Sequence, residues 1–90
     1  MGAVTEAMRT KLEAAFAPSR LIINDDSDKH LGHAGHREGG ESHFTVVIEA
    51  AVFAGVGRVA RQRMVYAALA DELAGPVHAL SVKALAPGEA

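Results

Sequence analysis

Apolar residues recur along this chain in two rhythms, and the change from one to the other maps its elements. Val4, Met8 and Leu12 are four residues apart and lead into Ala15 and Phe16, while Glu6, Arg9, Lys11 and Glu13 mostly keep off that stripe. Such spacing gathers apolar side chains on one side of a 3.6-residue turn, so it predicts an amphipathic first helix. Pro18 ends it, because proline disfavours helix for the residue before it and cannot extend the hydrogen-bond ladder. LIIND, residues 21–25, is a short β-branched run and predicts a strand. HFTVVIEAAVF then alternates with period two, setting Phe44, Val46 and Ile48 on one face and His43, Thr45 and Glu49 on the other, as a sheet with one covered side requires.

A short helical turn is expected near Ala51 to Phe53, and Gly55 and Gly57 mark a turn after it. A long helix follows as far as Ala74, centred on Val65, Leu69 and Leu73, and Gly75 with Pro76 stops it. The last run, VHALSVKAL, places His78, Leu80, Val82 and Ala84 on one face and predicts a third strand ending before Pro87. The order is helix, strand, strand, helix, strand. The simplest packing is an α+β sandwich, with helices on one face of a three-stranded sheet.

Ninety residues provide for one domain with a single core, and 49% apolar composition clears the range in which chains stay disordered. The polar stretch DDSDKHLGHAGHREGGES, residues 25–42, breaks both rhythms and predicts a long loop. So long a loop in so small a domain is the first place to look for chemistry.

Charge and cysteine content narrow that chemistry. A formal net charge of -2 gives no global attraction to nucleic acid or to anionic lipid, so either would need a local patch. The chain has no cysteine, which excludes disulfides, a thiol nucleophile, a CxxC redox centre and a self-sufficient iron–sulfur site. MGAVTEAMRTKLEAAF interleaves charges and lacks the continuous apolar run of a signal peptide or a membrane span, so a cytoplasmic, soluble protein is expected. No phosphate-binding loop, nucleophile elbow or HExxH helix occurs. Nothing sets two of Asp25, Asp26, Glu38 and Glu41 in an apolar pocket that would separate their acidities, so catalysis is not expected.

Histidine is the residue type with chemistry left to offer. His30, His33 and His36 recur at every third residue in the predicted loop, a spacing that also suits zinc, nickel or copper. His78 opens the last strand, and His43 opens the second, where its expected task is to hydrogen-bond the preceding loop. Gly55 and Gly57 followed by Arg58, Arg61 and Arg63 could bring a basic helix up to phosphates. However, GVGR is not the GxxG clamp of KH domains, and no aromatic stacking platform accompanies it.

DDSDKHLGHAGH, GGESHF, FAGVGRVARQRMVYAALADEL, GPVHAL and the closing APGE, in this order and spacing, resemble the BolA family over nearly the whole chain. The resemblance implies a fold related to class II KH domains and a non-enzymatic partnership with monothiol glutaredoxins. It also implies a [2Fe–2S] cluster shared between the two proteins, and none held by this chain alone. Thiolates would come from the glutaredoxin cysteine and its bound glutathione, and imidazole from this chain. By position in the family pattern, His78 is a cluster ligand, and the loop supplies a second from among His30, His33 and His36, with His30 and His33 the candidates.

Imidazole in place of thiolate raises a cluster's potential and makes it sensitive to protons. The family helix usually carries Arg-His-Arg, where this chain has Arg61, Gln62 and Arg63, which removes an ionisable group. On a helical wheel Gln62 falls inside the Val65, Leu69 and Leu73 stripe, so it is expected to be largely buried and hydrogen-bonded, with the two arginines flanking it. The alternative function, from a different class, is a DNA-binding transcriptional regulator that uses the Arg58 to Arg63 helix.

Overall fold

In a computed structural model of the chain, residues 2–26 and 43–89 are described. The expected α+β order is present. Helix α1 spans Ala3–Phe16, strand β1 Arg20–Asp25, strand β2 His43–Glu49 and strand β3 Ala79–Leu85. A 3-10 turn at Ala51–Phe53 and helices α2 (Arg58–Ala68) and α3 (Ala70–Ala74) lie between β2 and β3.

The sheet order is β1-β2-β3. β1 runs antiparallel to β2, with Arg20 opposite Glu49, while β3 runs parallel to β2, with His43 opposite Ala79. A parallel neighbour demands a crossover, and the turn, α2 and α3 make it. β2 is the central strand and carries the clearest alternation: Phe44, Val46 and Ile48 are buried, while Thr45, Val47 and Glu49 are half-buried. They meet Met8, Leu12 and Phe16 of α1, Phe53, and Val65 and Leu69 of the crossover.

α1 stops as expected. Ala17 takes a left-handed conformation with φ 47° and donates its N–H to the Glu13 carbonyl, and Pro18 follows. Two boundaries depart from the sequence reading. The predicted long helix is broken at Leu69, where φ -107° and ψ 22° leave the helical region and the N–H is shared among the Val65, Tyr66 and Ala67 carbonyls. With this break Leu69 stays fully buried, and Glu72 of α3 comes under Lys11 of α1 at 2.8 Å. The last strand begins at Ala79 rather than Val77, because the Val77 N–H is taken by the Glu72 carbonyl at 2.9 Å and is absent from the ladder.

Candidate functional site

His78 stands on the short link between α3 and β3, with a fixed residue on either side. Val77 before it is buried and tied to Glu72. Ala79 after it is already in the sheet, and the next carbonyl, that of Leu80, accepts from the Tyr66 hydroxyl at 3.3 Å. His78 itself is exposed. A ligating side chain is well mounted at such an exposed position, on a backbone held by its neighbours.

The register shows what else lies at this end of the sheet. Because His43 pairs with Ala79, β2 starts where β3 starts, and β1 ends there. The Asp26 N–H donates to the His43 carbonyl at 2.7 Å, and the Thr45 hydroxyl donates to the Asp26 carboxylate. Asp26 and His43, the described residues on either side of segment 27–42, therefore lie at the end of the sheet where Ala79 follows His78. His30, His33 and His36 themselves lie outside the described residues, as does most of the predicted loop. Among the described residues, no three His, Cys, Asp or Glu side chains converge as a metal-binding group.

The basic helix is arranged differently from its sequence reading. Arg58 and Arg63 are exposed, but the Arg61 side chain is only 12% exposed and is committed within the chain. Its Nε donates to the Val56 carbonyl at 2.7 Å and its Nη1 to the Ala84 carbonyl at 3.1 Å. Its two terminal nitrogens grip the Glu89 carboxylate at 2.6 and 3.0 Å. The Arg58, Arg61 and Arg63 surface therefore loses its middle member. Gln62 is half-buried rather than largely buried, and its amide makes no hydrogen bond among the described residues, against expectation. The buried line of the helix is turned toward Arg61, Val65 and Leu69, because a long arginine stem can lie along apolar surface while its head reaches acceptors.

The Arg61 fork and the Ala86 N–H at 2.9 Å hold the Glu89 carboxyl at about 2, well below the usual carboxylate range. A lowered pKa stabilises the fold above the ordinary value of 4.5, and the contribution is lost as pH falls from there through about 2. Glu89→Gln should therefore melt below the wild type at pH 7, and thermal unfolding curves of the two should converge by pH 2. A gap that persists at pH 2 would show that the pair does not act through the ionised carboxylate.

The BolA-like protein family model matches residues 12–89. The chain belongs to the BolA-like family. It is 44% identical to human BolA-like protein 1 over 99% of this chain and 62% of that protein, so it spans under two thirds of that relative's length. It is 42% identical to the DNA-binding transcriptional regulator BolA of Escherichia coli, over 88% of this chain and 71% of that protein. The solved BolA domain of SufE1 from Arabidopsis thaliana superposes with a TM-score of 0.87 at 38% identity, covering 100% of this chain and 99% of that one. The α+β architecture is thus the BolA fold. Among the described residues no helix is long and apolar enough to cross a membrane.

Proposed function

We propose that this BolA-like chain is a non-enzymatic partner of a monothiol glutaredoxin, contributing histidine to a shared [2Fe–2S] cluster in iron–sulfur trafficking or iron regulation. The observation that carries the reading is His78: exposed, clamped on both sides, and beside the two ends of the segment that holds His30, His33 and His36. The donor set fits a shared cluster and not a private one. With no cysteine the chain brings only imidazole, and the thiolates such a cluster needs come from the partner. When bound, the cluster supplies a redox-active, transferable iron–sulfur unit. The chain's part is to hold an imidazole nitrogen at a fixed place on the surface.

Co-purification with a tagged monothiol glutaredoxin under anaerobic conditions tests this reading. The two chains should elute together with visible absorption, and a colourless, unassociated chain would count against it.

A second reading, DNA-binding regulation, is favoured by the name of the Escherichia coli relative and by exposed Arg58 and Arg63. Its mark is a steep loss of DNA retention as salt rises, since each phosphate contact releases counterions. With Arg61 withdrawn into the Glu89 pair, the remaining patch is small, and a flat salt response is expected.

A further inference from the structure

β3 is an outer strand, and part of its free edge is already occupied. In a parallel ladder the N–H and C=O of one residue point the same way, and successive residues point to opposite sides. The Leu85 carbonyl accepts from Ala50, on the β2 side, at 3.0 Å. Leu80, Val82 and Ala84 therefore turn their backbone groups outward. α2 takes two of those carbonyls, through the Tyr66 hydroxyl on Leu80 and the Arg61 guanidinium on Ala84. The next outward N–H, that of Ala86, is capped by the Glu89 carboxylate. What stays open among the described residues is rich in donors: the N–H groups of Leu80, Val82 and Ala84 against the single carbonyl of Val82.

The Val82 to Ala84 part of this stretch forms one wall of a groove of about 560 Å³ between α2 and β3. Val56, Arg58, Gln62, Lys83 and Glu89 line it beside Val82. Arg58 and Lys83 are exposed and make no hydrogen bond or ion pair among the described residues. With Arg61 they give the groove three cations against one carboxylate, on a chain whose net charge is -2. That one carboxylate, Glu89, shows what the edge accepts: an acidic side chain bridging an outward N–H and a guanidinium.

We propose that this groove is the docking site for a short, extended, acidic segment of a partner protein. Carboxylates of the segment sit on Arg58 and Lys83, and its backbone pairs with Val82 and the Gln62 amide, as in strand addition to a sheet edge. Peptide fits better than nucleic acid, because a phosphodiester chain has no donor for the Val82 carbonyl. A second copy of this chain fits worse, because β3 against β3 would set Lys83 and Arg58 of one copy against those of the other. The inference does not depend on the cluster or on His78.

The test is a titration of the isotope-labelled full chain, followed by its amide resonances, with acetyl-EVEVE-amide and with acetyl-KVKVK-amide. The acidic peptide should shift the Leu80, Val82 and Ala84 amides and the Gln62 side chain saturably, and the basic one should not. Arg58→Glu with Lys83→Glu, both exposed sites, should weaken the acidic peptide at least tenfold and let the basic one bind. No saturable shift, shifts centred elsewhere, or affinity unmoved by charge reversal would overturn the proposal. So would a double-stranded oligonucleotide that moves the same amides and displaces the peptide.

Discussion

His78→Ala should abolish or strongly alter the visible absorption and circular dichroism of the cluster assembled with a monothiol glutaredoxin and glutathione, while leaving the protein folded. The fold is spared because His78 is an exposed residue outside the core, and truncation of such a residue changes stability by within about 0.5 kcal/mol. Binding to cluster-free glutaredoxin should be nearly unchanged for the same reason. The spectrum is not spared, because the backbone that would let another group take the ring's place is held by Val77 on one side and the β3 ladder on the other.

Replacing His30, His33 or His36 singly should do less, since three imidazoles at every third residue can stand in for one another. Mild acid should bleach the mixed cluster before one held by glutaredoxin alone, because a proton competes directly for an imidazole ligand. Wild-type and His78→Ala mixtures whose spectra superimpose as pH is lowered would remove His78 from the site.

Phe53→Ala should have the largest effect on the fold. Phe53 is fully buried and packs on Phe16 of α1, with ring centroids 5.3 Å apart and planes tilted by 38°. It sits in the 3-10 turn that begins the crossover, so it ties the first helix to the sheet. Truncating a core phenylalanine costs about 3–5 kcal/mol. Domains keep roughly 0.05–0.15 kcal/mol per residue in reserve, so a chain of 90 residues has little margin for such a loss. Urea unfolding followed by far-ultraviolet circular dichroism should show a much lower midpoint with an unchanged slope. A loss below about 1 kcal/mol would mean that the surrounding core closes over the gap, contrary to its packing here.

The two rhythms of the sequence carried most of the fold because burial here follows them. Phe44, Val46 and Ile48 face the core as their alternation requires, and Met8, Leu12 and Phe16 do so at helical spacing. The short turn at Ala51–Phe53 was legible as well. The break at Leu69 was not, because the apolar stripe continues through it and the departure lies only in the backbone angles.

Arg61 was misread for a related reason. A wheel weighs a residue by its type, so a charged head hid a stem that lies in the buried line, and its partners Ala84 and Glu89 are 23 and 28 residues further on. The only local hint was its place four residues before buried Val65. For the site, the Gly75 and Pro76 stop put His78 next to the start of the last strand, one residue before its observed first residue Ala79. The ligand role proposed for it rests on the BolA-like resemblance, since a lone histidine before an alternating strand reads more readily as structural than as a ligand.

The central claim is that this chain brings imidazole without thiolate and therefore holds a cluster only in company. Anaerobic iron and sulfide reconstitution of the chain alone, and of an equimolar mixture with a monothiol glutaredoxin and glutathione, tests it most directly when both are read by visible circular dichroism after gel filtration. The chain alone should emerge colourless, and the mixture should give one species carrying both proteins, with a spectrum unlike that of the glutaredoxin cluster by itself. A stable brown species from the isolated chain, or a mixture whose spectrum is that of glutaredoxin unchanged, would contradict it.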